Sequence, residues 1–263
     1  MDPATIVRTI QALGYERYTD FAADLRAHFV SRLTPYRILQ ATTREKGSAA
    51  DHVRHSLERD LGTVSRLVNA ADPKRIMEAG QRIHRARRIL VVGADLALSL
   101  AWFLAYGLLP LGYDAEAPLG GGGQIHHKTR QLSEKDLLVA ISFGRCLRIT
   151  VEAAQLARGR GVSTLAITDS DTTPLARHCD SSLVAPITGS NFTGSYVGPM
   201  ALVNALLLAC AQLAPGRALS LLRQSEREYL QGERWYEAAP GPDEAGGNGR
   251  PARNGRPARR RRS

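Results

Sequence analysis

The sequence predicts an α/β protein: a parallel β-sheet covered by helices on both faces, preceded by an α-helical N-terminal segment. Three observations predict it. Short apolar runs recur at 88–93, 136–142, 162–168 and 182–185, each strand-sized and too uniformly apolar to keep one face wet. A helix-like stretch follows each of them, at 96–111, 148–159, 173–179 and 194–213, which is the rhythm of crossover connections. The formal net charge of +10 sits mainly at the two ends of the chain, so the middle reads as an ordinary globular body.

Taken in order, Pro3 stands where a first-turn proline belongs and opens a helix over 4–13 that Gly14 stops. A second helix is predicted over 18–33, with Pro35 breaking the chain after it. Val53, Leu57, Leu61, Val64 and Val68 recur at spacings of four, four, three and four, one apolar stripe of a long helix. Asp72 and Pro73 restart a helix as N-cap and first residue, running to about 86. Residues 113–117 read as a possible strand after the helix-like stretch 96–111. The glycines 120–123 do not open a helix directly after a strand, so a flexible loop is expected there, with His126 and His127 in a surface loop behind it. Beyond Pro215 one more helix is predicted, to about 235.

The last segment repeats Gly-Arg-Pro-Ala-Arg at 249–253 and 255–259 and ends on Arg260, Arg261, Arg262 and Ser263. It holds no apolar residue larger than alanine, so it cannot bury a core and is expected to be disordered. Clustered arginines suit a non-specific nucleic-acid tether. The chain thus divides into 1–48, the connecting helices 49–86, the sheet domain with its closing helix 87–235, and the basic tail 236–263.

Composition excludes several classes. Cys146, Cys179 and Cys210 are too few and scattered for a disulfide scaffold or a zinc site. The longest apolar stretch, 96–111, is interrupted by Tyr106, Gly107 and Pro110, so no membrane span is predicted. The first residues have the pattern of neither a signal nor a transit peptide, and a cytoplasmic location is expected. No cofactor or metal motif is present.

The run from Asp136 to Arg145, then Val151–Gly161, Thr164–Ser170 and Pro174–Ala176, resembles the SIS (sugar isomerase) domain, with its strand, ligand loop, helix, strand and closing turn in order. The resemblance implies a three-layer α/β/α fold. Pro3–Tyr15, followed by Tyr18–Phe21 and Leu25, is similar to the recognition helix of MurR/RpiR-type transcriptional regulators, in which a helix-turn-helix precedes the SIS domain. That likeness implies a sugar-like effector, DNA as partner, a homodimer or homotetramer packed through the apolar 194–213 helix, and no catalysis. Thr5, Arg8 and Thr9 are the polar residues placed to reach a DNA groove. The chain begins almost on that helix, so the helix-turn-helix is expected to be partial.

The ligand loops depart from the family pattern. Where a Gly-x-Gly-x-Ser turn is common, this chain has Gly93-Ala-Asp95-Leu-Ala97; where Ser-x-Ser-Gly-x-Thr is common, it has Ser142-Phe-Gly144-Arg145-Cys-Leu147. Lost hydroxyls and a gained Asp95 weaken the case for a phosphomonoester, while Arg145 and Arg148 flank a helix start and suit an anion. The expected ligand-contacting set is Gly93, Asp95, Ser99, Ser142, Gly144, Arg145, Arg148 and Asp169. Either the pocket holds a different ligand, a carboxylate or a modified sugar, or the arginines are solvated charges on a pocket that no longer binds. An isomerase would need a general acid or base at the sugar, and only Glu152 and His178 offer themselves. Cys146, at the same helix start, is either a reactive thiol or a small half-buried residue.

Overall fold

The computed structural model describes residues 3–18, 20–21, 35–44, 47–188 and 194–231. Five strands pair in parallel in the order β2-β1-β3-β4-β5: β1 Ile89–Gly93, β2 Ala115–Glu116, β3 Leu137–Ile141, β4 Ser163–Thr168 and β5 Ser181–Val184. Ile89 stands opposite Leu137 and Ala115, Leu137 opposite Ser163, and Leu165 opposite Ser181. Every residue of β1 and β3 is buried, as uniformly apolar strands demand.

Alternation along the strands sends side chains into two separate cores. Ile89, Val91 and Val139 pack with helices Pro73–Arg85, Ala97–Leu108 and Val197–Leu213 on one face. Leu90, Val92 and Leu138 pack with helices Gly122–Arg130 and Arg148–Gly159 and the short Pro174–Arg177 on the other. This is the three-layer arrangement that the sequence rhythm predicts. On the first face Gly80 admits Ala209 and Gly107 admits Leu207, where a methyl group would crowd the neighbouring helix.

Before the sheet lie helices Pro3–Ala12, Pro35–Arg44 and Ala49–Ala70. Ser48 caps the last of these in a reciprocal box: its hydroxyl accepts from the Asp51 amide, and Asp51 accepts from the Ser48 amide. Asp72 caps Pro73–Arg85 by accepting from the Lys74 amide at 2.9 Å. The chain divides into two compact units, Met1–Leu222 and Arg223–Ser263. The described part of the second continues helix Pro215–Gln231, with Gln224 donating to Glu228.

Four expectations change. Pro35 starts a helix that the sequence reading did not anticipate, since a proline at the first position gives up only an amide that has no partner there. The glycine run leads into helix Gly122–Arg130, which carries His126 and His127 on its exposed side. Helix Val197–Leu213 is largely core: Leu202, Val203, Leu206 and Cys210 are sealed by its neighbours, and Leu208 is the large apolar side chain it exposes well. Conversely, the stripe on helix Ala49–Ala70 faces outward, with Val53, Leu57, Leu61 and Val68 exposed at 64, 67, 73 and 71%. Thr63 and Leu67 are the residues this helix buries. Most of the predicted 18–33 helix and the 236–263 tail lie outside the described residues. No single helix among the described residues is long and apolar enough to cross a membrane.

Candidate functional site

From β1 the chain crosses to the edge strand β2 and then returns to the other side of β1 as β3. Ligands of such sheets sit beyond the strand C-termini at this reversal. The loops leaving β1, β3 and β4 meet there.

Gly93 ends β1 and has to be glycine: a Cβ on it would lie 2.5 Å from the Ala97 carbonyl oxygen, because the next helix starts directly across it. Asp95 follows in the left-handed region at φ 51°, the one non-glycine residue there among the described residues, with its side chain exposed. Ser99, one turn into the helix, is exposed and spends its hydroxyl on the Leu96 carbonyl at 2.7 Å.

In the β3 loop Ser142 is buried, and its amide donates to the Ile167 carbonyl. Gly144 has φ 65°, and its amide donates to Asp169 Oδ1 at 3.0 Å. Thr168 supports that carboxylate loosely at 3.4 Å and donates to Thr173, the cap of the short helix after β4. Arg145 and Arg148 are exposed, and Arg148 is the first residue of helix Arg148–Gly159, whose N-cap Leu147 offers no side-chain acceptor. The backbone donors of a helix start and two cations therefore stand at the mouth of the crevice. Close by, the buried Thr150 hydroxyl has no hydrogen-bond partner.

Tyr196, just before helix Val197–Leu213, was hidden in the apolar run. It packs edge-on against Phe143 at 5.6 Å. Burial first, then the carboxylates of Asp169 and Asp95, push its phenol above the ordinary range. That coupling brings one residue from each of three distant segments to a common space. The structure thus gathers Gly93, Asp95, Ser142, Gly144 and Asp169, adds Phe143 and Tyr196, sets Arg145 and Arg148 at the rim, and leaves Ser99 locally bonded on its helix. Nothing in the local pattern marks Tyr196, whose position depends on the whole β5 crossover.

The other candidates fall outside the crevice. Glu152 is exposed along its helix, and His178 faces the Gln155 amide at 3.0 Å. Asp171 is engaged by Ser182 and Arg75. Cys146 is half-buried against the second core, while burial pushes the thiols of Cys179 and Cys210 up to about 12. No group of three or more potential metal ligands exists among the described residues. Thr5, Arg8 and Thr9 are exposed on helix Pro3–Ala12, where Thr9 donates back to the Thr5 carbonyl at 2.8 Å.

Comparison with known proteins gives four results. The family model of the SIS domain matches residues 82–209. The sugar isomerase domain of an RpiR transcription factor from Sphaerobacter thermophilus is 36% identical with a TM-score of 0.63, the alignment covering 66% of this chain and 97% of that one. The NanR protein of Vibrio vulnificus, solved with ManNAc-6P, is 23% identical with a TM-score of 0.62 over 89% of this chain and 83% of that one. An uncharacterized HTH-type transcriptional regulator of Haemophilus influenzae is 20% identical over 196 residues, 74% of this chain and 68% of that protein.

Proposed function

Since the chain belongs to the SIS-domain family of RpiR type, we propose that it is a ligand-responsive transcriptional regulator whose SIS domain binds a small sugar-like or phosphosugar effector. The observation that carries the reading is the 36% identity to the sugar isomerase domain of an RpiR transcription factor, across nearly all of that domain. The crevice supports it chemically. Asp95, Asp169 and Tyr196 offer acceptors and a donor for sugar hydroxyls, and Arg145 and Arg148 at the rim suit an anionic substituent. DNA is the second partner, met by Thr5, Arg8 and Thr9 on the first helix and by the arginine-rich tail.

The protein is taken to work as a homodimer. The exposed stripe Val53, Leu57, Leu61 and Val68 has the three-and-four spacing that pairs with a second copy of itself. The isomerase alternative is not adopted: its two candidate acid–base residues, Glu152 and His178, stand outside the crevice.

The test is fluorescence anisotropy with labelled DNA from around the protein's own gene, with and without sugar phosphates and sugar acids. Saturable binding that an effector shifts is expected. Absence of binding to any such fragment, also by an N-terminally extended chain, sinks the regulator reading.

A further inference from the structure

The register of the sheet brings three polar side chains into one row at the crevice. Gly93 stands opposite Ile141, and Ile141 opposite Ile167. Asp95 therefore leaves β1, Ser142 leaves β3 and Asp169 leaves β4 at a similar height, on neighbouring strands about 4.8 Å apart. Ser142 is the middle of the row, with a carboxylate on either side.

Each member is short of a partner. Asp95 is exposed, and its carboxylate takes part in no hydrogen bond or ion pair among the described residues. It also holds a left-handed backbone, φ 51°, that glycine would hold without strain, so what the residue adds there is its charge. Asp169 accepts the Gly144 amide and the longer Thr168 contact through Oδ1, and nothing among the described residues donates to its Oδ2. No cation lies within ion-pair distance of either carboxylate among the described residues.

Ser142 is the independent sign of a ligand. The residue is only 5% exposed, yet its hydroxyl makes no hydrogen bond among the described residues. Nor is that hydroxyl sealed from solvent, for the sealed side-chain atom left without a partner is Thr150 Oγ1. The Ser142 hydroxyl therefore opens from the end of β3 into the crevice, where leaving it unsatisfied is costly. The Tyr196 phenol feels both carboxylates, so the row and the aromatic wall face one space.

We infer that the crevice selects an effector bearing a free, protonated amino group, seated between the Asp95 and Asp169 carboxylates with the Ser142 hydroxyl as third acceptor. This rests on the effector-binding role proposed for the same crevice and narrows it to amino sugars. An ammonium has three donors and no acceptor, which matches three acceptors of net negative charge. A hydroxyl brings one proton and no charge, and an N-acetyl amide brings a carbonyl that the carboxylates repel. No group of three or more potential metal ligands exists among the described residues, which favours an organic cation over a metal ion.

The experiment is calorimetric titration of the full chain at about pH 6.5, where an amine of α-amino type is protonated. The probes are glucosamine, galactosamine and mannosamine 6-phosphates, each beside its hexose 6-phosphate and its N-acetyl derivative. At least one amine is expected to bind wild type about tenfold or more tighter than both of its counterparts. Asn tolerates the left-handed backbone, so Asp95→Asn should fold normally. Its preference for the amine should fall by about tenfold, while hexose phosphates bind it at least as well as wild type. Equal or tighter binding of every hexose or N-acetyl form by wild type overturns the inference and leaves the effector-binding reading standing. So does a preference that survives Asp95→Asn, or a loss shared equally by all three classes, which would make Asp95 structural. Absence of binding by every probe overturns the sugar-phosphate reading and the inference with it.

Discussion

The Asp169 carboxylate accepts the Gly144 amide hydrogen bond at 3.0 Å. It thereby occupies with the protein's own negative charge a backbone donor that a ligand anion would otherwise take. On the proposed reading, the crevice would favour hydroxyl-rich ligands, with anionic groups met at the rim by Arg145 and Arg148.

Asp169→Asn keeps an oxygen for the Gly144 amide and removes the charge. Affinity for a sugar phosphate should rise roughly fivefold, since relieving one partly exposed like-charge contact is worth about 1 kcal/mol. Calorimetric titration of both proteins checks this; equal or weaker binding by the variant would show that the carboxylate does not face the ligand.

Gly93→Ala should destabilise the domain by about 2 kcal/mol or more, because the added methyl would sit 2.5 Å from a backbone oxygen that cannot move without shifting the helix start. Gly121→Ala, with no atom within 4 Å of the new methyl, should change stability by less than about 0.5 kcal/mol. Urea unfolding of the two variants makes the comparison.

Asp136 joins β3 to β1. Its side chain is fully buried and accepts from Arg87 Nε and Nη2, the Ser133 amide and the Ser133 hydroxyl. Burial alone would raise its pKa, but the hydrogen bonds from Arg87 and Ser133 outweigh it and hold the carboxyl below its ordinary 3.8. A depressed folded-state value means the contribution is complete above about pH 4 and disappears as pH falls through that lower value. Asp136→Asn should cost about 2 kcal/mol at neutral pH. Its stability should also be less sensitive than wild type to acidification below pH 4, as followed by circular dichroism.

Leu57→Gln/Leu61→Gln replaces two exposed apolar side chains. Folding stability of the monomer should change by less than about 0.5 kcal/mol, while sedimentation should show the proposed dimer in wild type and monomer in the variant. Persistence of the dimer would move the interface to another surface, such as the stacked Trp102 and Tyr106.

Deleting residues 240–263 should lower DNA affinity and flatten its dependence on salt, because phosphates that the arginines no longer neutralise keep their condensed counterions. Anisotropy titrations across a salt series measure both; identical slopes would remove the tail from the interaction.

The sequence by itself determined the sheet, its helices and several of their ends. Runs such as Leu137–Ile141 are apolar at every position, which is stable only between two covering layers. Asp72 with Pro73 marks a helix start by chemistry confined to neighbouring residues. It also determined which residues the β1 and β3 loops present, because loop order follows strand order.

Tertiary structure decided what periodicity leaves open. The Val53–Val68 stripe states that one helix face is apolar, not what covers it, and among the described residues Val53, Leu57, Leu61 and Val68 stay exposed while Val64 is half-buried. Tyr196 comes within electrostatic reach of Asp95 and Asp169, and Arg66 meets Thr188, through crossovers that span most of the domain. Such meetings depend on the summed path of several strands and helices, so no local pattern records them. The departures at Asp95 and Gly144 were legible as changes of residue type. Their consequence, a crevice whose amide is already occupied by Asp169, became visible only when the β3 and β4 loops were side by side.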